Sequence, residues 1–212
     1  MAKRVVIIDD HPIVRDGIAF LLSQQKDLIC AGEAGDQKTA LELIESVRPD
    51  IVVLDIALGK ENGLSILKQL TEEKPQLPVV ILSMHDELLY AERCLRSGAR
   101  GYVMKHEAGV NLIEALRKVL SGELAVSPKI ATQMLESITQ RKSRNPDPMS
   151  RLSDRELEVL RLIGAGLAVR DIAKTLFVST KTVESHQMNI RQKLGLKSSR
   201  ELVVYAVNQQ RA

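Results

Sequence analysis

Three carboxylates stand directly behind two short β-branched runs: Asp9 and Asp10 follow Val5–Ile8, and Asp55 follows Ile51–Leu54. Ser83 closes a third run, Val79–Leu82, and Lys105 comes shortly after a fourth, Gly101–Val103. Carboxylates gathered at one place repel one another, and their oxygens suit a hard divalent cation such as Mg²⁺. Beside such a cation a carboxylate is a nucleophile for phosphorus and forms an aspartyl phosphate. Ser83 would then offer a hydroxyl to a phosphoryl oxygen, and Lys105 a point charge. Taken singly, each residue has a plainer use. Asp-Asp before His11-Pro12 also ends a strand and caps a helix, and a lone loop Lys is usually solvated. Five such groups, each behind an apolar run, point together to a site.

The elements that must position these groups alternate along residues 1–122. The runs are Val5–Ile8, Leu28–Ala31, Ile51–Leu54, Val79–Leu82 and Gly101–Val103. Apolar runs without alternation suit parallel strands covered on both faces. Between them lie helical patterns, the first opened by Pro12 and the second stopped before Pro49. Five β-then-α units predict an α/β doubly wound, five-stranded parallel sheet in the order 2-1-3-4-5, whose carboxyl strand ends line the functional crevice. Strands one and three flank the switch point of that order, which puts Asp9, Asp10 and Asp55 together. A further helical pattern covers 128–140, and the polar, proline-bearing stretch Arg141–Ser150 reads as a linker.

From Leu152 onward every pattern is helical, predicting a small all-α, four-helix domain. Ser153 with Glu156 and Ser198 with Glu201 have capping-box spacing, and Ser179 caps the third helix. Val169–Lys193 reads as helix, turn, helix. Val183, Ile190 and Leu194 hold one face of the second helix, while Lys181, Glu184, Ser185 and Met188 fall on the opposite face, free to enter a major groove. Lys181, Arg191 and Lys193 could pair with phosphates, and Ser179 and Thr180 sit at a helix N-terminus suited to phosphate.

Charge divides the chain the same way. Residues 1–123 carry 15 Lys and Arg against 19 Asp and Glu, a net of −4, whereas residues 151–212 carry 11 against 6, a net of +5. A basic tail suits a polyanion. With aromatics at 2% and no Trp, base-stacking modes of RNA or single-strand binding are disfavoured; the charge tilts toward double-stranded DNA, while a plain four-helix module that binds a protein stays open on these residues alone. Cys30 and Cys94 are too few for a disulfide scaffold and read as buried thiols of a reducing compartment. The apolar start ends at Ile8 against two acids, and no stretch approaches the ~18 apolar residues of a membrane span, so a soluble cytoplasmic protein is expected.

Asp9-Asp10, Leu54-Asp55 with Gly63 eight residues on, Ser83 and Lys105 resemble the receiver domain of bacterial response regulators, over residues 3–122. The resemblance implies that Asp55 accepts the phosphoryl group from a histidine kinase or a small phosphodonor. It implies that Asp10 binds Mg²⁺ directly, Asp9 through water, and that the backbone carbonyl of Ala57 is a further ligand. Ser83 and Tyr102 match a hydroxyl–aromatic switch pair whose ring turns inward. This chain departs from the pattern at Leu58-Gly59, where Met-Pro is frequent, at His106, where many receivers have Pro, and at Ala57 and His85, which tune loss of the phosphoryl group. Absence of the first Pro should loosen the loop after the third strand.

In the tail, Leu152 to Leu160, Gly166, Asp171 to Ala173, Val178-Ser179, Lys181 to Val183, His186, Ile190 and Lys193 to Gly195 resemble the LuxR-type DNA-binding domain, over 150–210. A linker with a helix fills 123–149. Together the two resemblances imply a response regulator of the NarL/FixJ class that dimerises when phosphorylated or DNA-bound and is not an enzyme acting on an external substrate. By the same resemblance Glu184, Ser185 and Met188 face bases, with Thr182 beside them on the same helix, and the last helix, with Leu202, Val203 and Tyr205, supplies a dimer face. Two other readings stay open. One is a phosphatase with Asp55 as nucleophile, although Ala57 stands where such hydrolases carry a second Asp. The other is a transcription factor that binds DNA independently of phosphorylation, its receiver serving as a dimerisation scaffold.

Overall fold

Every β-branched run becomes a strand in the computed structural model, which describes residues 1–58, 61–84, 87–140 and 148–211. The chain divides into two compact units, Met1–Arg141 and Lys142–Ala212. The first contains β1 (Lys3–Ile8), α1 (Pro12–Ser23), β2 (Leu28–Ala34), α2 (Gln37–Val47), β3 (Ile51–Asp55), β4 (Ala57–Leu58), β5 (Glu61–Asn62), α3 (Gly63–Glu73), β6 (Val79–Ser83), α4 (Glu87–Arg96), β7 (Gly101–Met104), α5 (Ala108–Leu120) and α6 (Pro128–Gln140). Five strands form one sheet in the order β2-β1-β3-β6-β7, with every pairing parallel. This is the expected doubly wound topology.

Burial explains the unbroken apolar runs. Val5, Ile7, Val53 and Leu82 pack on one face against Ile18 and Leu22 of α1 and Leu112, Leu116 and Val119 of α5. The alternating residues Val6, Ile8, Val52, Leu54 and Ile81 point to the other face and are buried as well. Each such side chain contributes about 1.5–3 kcal/mol on burial, so neither face tolerates a polar residue. Helix α1 opens on Pro12, where a missing N–H costs nothing. Helix α2 is capped by Asp36, which accepts from the Thr39 N–H at 2.9 Å, and ends at Arg48 in the left-handed region, just before Pro49.

Strand order reverses between β1 and β3, so the connections leave the sheet in opposite directions and open a crevice at the carboxyl ends. Behind β3 the loosening expected from the missing Pro falls on position 59. Ala57–Leu58 pairs antiparallel with Glu61–Asn62, anchored by Leu58, which is buried; Gly59 lies outside the described residues. Gly63 then passes so close to β3 that a Cβ there would sit 2.2 Å from the Asp55 carbonyl oxygen. Only glycine fits, which explains its fixed distance behind Asp55.

One further feature lies beyond the sequence patterns. Past α5 the chain returns to the edge of β7: Tyr102 N–H donates to the Ala125 carbonyl at 2.8 Å, and Ala125 N–H to the Arg100 carbonyl at 2.9 Å. This single-residue strap leads into α6, which packs against α4.

The second unit holds a 3-10 turn at Pro148–Arg151 and helices α7 (Asp154–Gly164), α8 (Val169–Thr175), α9 (Thr180–Leu194) and α10 (Ser199–Arg211). Met149, read from sequence as part of a polar linker, is buried, and residues 141–147 of that stretch lie outside the described residues. Leu157, Leu160, Ile172, Val183, Ile190 and Leu202 are all buried in its interior. The Ser153–Glu156 capping box is complete. The one expected at Ser198 is half made: its hydroxyl accepts from the Glu201 N–H at 3.1 Å, but the Glu201 carboxylate takes the N–H of Lys197 instead. Helix α8 ends with Phe177 at φ 52 and Val178 N–H bonded to the Ala173 carbonyl at 2.9 Å, a Schellman-type stop that turns the chain into α9.

Candidate phosphoryl-transfer site and nucleic-acid interface

The strand ends bring the predicted groups together. Asp9 continues the β1–β2 ladder, its N–H donating to the Ala34 carbonyl at 3.1 Å, and Asp55 is the last residue of β3. Both side chains are 1% exposed. Lys105, at the start of the 3-10 turn that follows β7, reaches back across the crevice. Its Nζ lies 2.7 Å from Asp55 Oδ2 and 2.7 Å from Asp9 Oδ2, so one ammonium bridges two buried carboxylates. Asp55 Oδ1 accepts the Ala57 N–H at 3.1 Å. Ser83 ends β6 fully buried, and Tyr102 on the adjacent β7 is buried too, its ring covered rather than facing solvent. The Lys105–His106 peptide is trans and His106 is exposed; His85 lies outside the described residues.

Electrostatics follow from this packing. Burial is the largest influence on Asp55 and the nearby Asp9 charge adds to it, while Lys105 and the Ala57 N–H oppose; the net effect lifts its pKa from 3.8 to about 6. Burial works against the Lys105 ammonium, but the carboxylates of Asp55 and Asp9 outweigh it and hold its pKa above the ordinary value. Asp10 is 28% exposed at the mouth of the crevice. The three carboxylates outnumber the one ammonium and leave an uncompensated negative charge among hard oxygen donors. The donor atoms of Asp9, Asp10, His11 and Asp55 all lie within 4.8 Å of one another. That donor set fits a divalent cation.

Two contacts here carry no sequence signal. The Arg15 guanidinium, from α1, donates to the Asp9 backbone carbonyl at 2.7 Å and lies 3.4 Å from Glu33. His11, beside the acid pair, turns its ring to Asp10.

In the second unit, α9 presents the expected face. Val183 and Ile190 are buried, whereas Thr180, Lys181, Glu184, Ser185 and Met188 are exposed on the other side. Ser179 spends its hydroxyl as the N-cap, accepting the Thr182 N–H at 3.0 Å and lying 2.8 Å from the Thr182 hydroxyl. The Ser185 hydroxyl donates to the Lys181 carbonyl at 2.9 Å. Arg191 and His186 are half-buried. Lys193 lies apart from the exposed face in its bonding: its ammonium is 2.6 Å from the buried carboxylate of Glu156, the residue that completes the α7 cap. On α10 the expected stripe splits, with Leu202 in the interior, Tyr205 half-buried and Val203 exposed.

Comparison with known proteins agrees with both halves. Residues 5–117 match the response regulator receiver domain, and residues 150–206 match the luxR family of bacterial regulatory proteins. The oxygen regulatory protein NreC of Staphylococcus epidermidis is 40% identical over 210 residues, 96% of either chain. RcsB of Salmonella enterica serovar Typhimurium, solved bound to a promoter in the presence of the phosphomimetic BeF3−, is 28% identical over 97% of this chain and 98% of that one, with a TM-score of 0.66. A structure of two RcsB dimers bound to two parallel DNAs is 28% identical over the same shares, with a TM-score of 0.60. A parallel sheet of this order with acids at its strand ends, and a basic helix-turn-helix unit behind it, therefore place the chain in a known family of transcription regulators rather than among classical enzymes: it belongs to the two-component response regulators with a LuxR-type DNA-binding domain.

Proposed function

We propose that Asp55 takes a phosphoryl group from a partner histidine kinase, or from a small phosphodonor, and that this controls sequence-specific binding of double-stranded DNA by the tail domain. The observation that carries the reading is the Lys105 ammonium held 2.7 Å from both Asp9 and Asp55 at the buried strand ends. Mg²⁺ would be held by the carboxylates of Asp10 and Asp55 and the carbonyl of Ala57, with Asp9 acting through water. Once bound it supplies charge neutralisation for the phosphoryl oxygens. The Asp55 carboxylate attacks phosphorus in line, the P–O bond forms as the donor's P–N bond breaks, and the departing imidazole takes up a proton. Lys105 pairs with a phosphoryl oxygen in place of one carboxylate, and Ser83 donates its hydroxyl to another.

Since Tyr102 is already covered, the switch is a shift between two packed arrangements of Ser83 and Tyr102. The strap gives that shift a route outward, because the backbone of Tyr102 is bonded to Ala125, which leads into α6. The receiver accordingly spans 3–122, the helix-bearing linker 123–149 and the DNA-binding domain 150–210. Glu184, Ser185 and Met188 face the bases of the major groove, Lys181 pairs with a phosphate at the edge of that groove, and Ser179, Thr180 and Thr182 approach the backbone at the helix N-terminus. Arg191 and Lys193 flank them toward phosphates, Lys193 sharing its charge with Glu156. Homodimers set two such helices on half-sites ~10 base pairs apart, and the promoter complex and dimers solved for RcsB support both points. Among the described residues no helix is long and apolar enough to cross a membrane, and we place the protein in the cytoplasm.

The test treats the full chain with a small phosphodonor and Mg²⁺ and measures binding to genomic fragments. Donor-dependent binding that is absent from Asp55→Asn is expected; induced binding that survives the substitution overturns the reading.

A further inference from the structure

His11 stands between the acid pair and helix α1, and it serves the helix through its backbone carbonyl alone, which accepts the N–H groups of Val14 and Arg15. It occupies the N-cap position, yet its side chain makes no capping bond. Its Nδ1 instead lies 2.7 Å from Asp10 Oδ1 and 3.3 Å from Asp9 Oδ1. The residue is held from behind, its own N–H donating to Asp9 Oδ1 at 2.9 Å, and Pro12 fixes the chain that follows. The ring is 61% exposed, so its approach to the acids is not imposed by packing from other elements. Its nitrogen shares a space 4.8 Å across with oxygens of Asp9, Asp10 and Asp55.

We propose that His11 is a nitrogen donor of the cation site and sets its choice of metal, so that the site takes transition ions such as Ni²⁺ or Co²⁺ more tightly than an all-oxygen cluster would. The inference rests on reading the acid cluster as a cation site. Mg²⁺ is a hard ion that favours oxygen and draws little from an imidazole. Ions later in the first transition row gain strongly from one, so adding a nitrogen to the oxygen donors of Asp10, Asp55 and Ala57 widens the gap between the two classes. A metal bound at Nδ1 displaces the hydrogen bond to Asp9 and the close contact with Asp10, and the ring carries its proton at Nε2. His11 is thereby a specificity-determining residue of the phosphoryl-transfer site, shifting its preference from Mg²⁺ toward the later transition ions.

Calorimetric titration of the full chain with Mg²⁺ and, separately, Ni²⁺ tests this in wild type, His11→Gln and His106→Gln. Being exposed, both histidines can be exchanged without disturbing the core. The expected result is a loss of Ni²⁺ affinity of about tenfold or more in His11→Gln, with Mg²⁺ affinity retained and His106→Gln behaving as wild type. A Co²⁺ absorption band that changes in His11→Gln alone agrees with it. Unchanged Ni²⁺ affinity in His11→Gln, or an equal loss for both ions, overturns it. If wild type binds Mg²⁺ but Ni²⁺ ignores His11, only this inference fails; if wild type binds neither ion, the cation-site reading fails with it.

Discussion

Asp55→Asn should make the metal-free receiver more stable. The Asp55 carboxyl is 1% exposed and its pKa is lifted from 3.8 to about 6, chiefly by burial. A raised acid pKa means that the folded state holds the proton more tightly than the unfolded state. Between pH 4 and 6 the folded chain therefore binds more protons, and stability falls as pH rises through that window. Above pH 6 the full cost of the buried charge is present. Two pH units at about 1.4 kcal/mol each give about 3 kcal/mol. Asn imitates the uncharged acid and leaves Lys105 its contact with Asp9, so a gain of about 2–3 kcal/mol is expected at pH 7.5. The gain should shrink toward zero at pH 4. Mg²⁺ at ten times its Kd should stabilise wild type by about 1.4 kcal/mol and Asp55→Asn by less, narrowing the gap. Urea unfolding followed by circular dichroism, with and without Mg²⁺ at both pH values, reads all of this. A variant no more stable than wild type at pH 7.5 without Mg²⁺, or one whose advantage persists undiminished at pH 4, refutes the reasoning.

Other consequences are smaller or more local. Gly63→Ala forces a methyl group against the Asp55 carbonyl and should cost about 1–3 kcal/mol in urea unfolding, and slow phosphoryl uptake, because β3 must shift to make room. Lys193→Met should destabilise the tail domain by about 1 kcal/mol, a discounted figure because the ammonium is 39% exposed, although Glu156 is buried. The Glu156 carboxyl feels burial most, which raises its pKa, but Lys193 and Ser153 together outweigh this and leave it below the ordinary value. Its contribution is therefore present above the unfolded pKa and lost as pH falls through the folded one, which thermal melts near pH 4 should show. Lys181→Ala, on the exposed face of α9, should weaken DNA binding evenly across sequences and reduce the salt slope by about one in a fluorescence titration.

Much of this was legible because the strongest patterns have the simplest causes. A strand buried on both faces must be apolar at every position, so Ile51–Leu54 and Val79–Leu82 stand out, and the residue behind each run marks a strand end. Gly63 marks a close backbone approach that no other residue allows. What escaped depends on single contacts. Ala125 pairs with β7 through one residue and leaves no periodicity. The β4–β5 pairing rests on two residues a side and the burial of Leu58, too short a stretch to leave a periodicity. Lys193 shows its charge in the sequence but not its tether to Glu156. Helix α10 continues to Arg211, past its last apolar residue Val207, where no apolar periodicity remains to mark it. Arg15 and His11 reach the site through backbone and side-chain geometry that residue type does not encode.

The most direct test of the central claim is where a phosphoryl group goes. Full-length protein incubated with a small phosphodonor and Mg²⁺ can be reduced with borohydride, which converts an aspartyl phosphate to a stable alcohol, and mapped by mass spectrometry. The strand-end account predicts one modified residue, Asp55, with labelling lost in Asp55→Asn and strongly slowed in Lys105→Ala. Labelling at another residue, or undiminished labelling of Asp55→Asn, would contradict it.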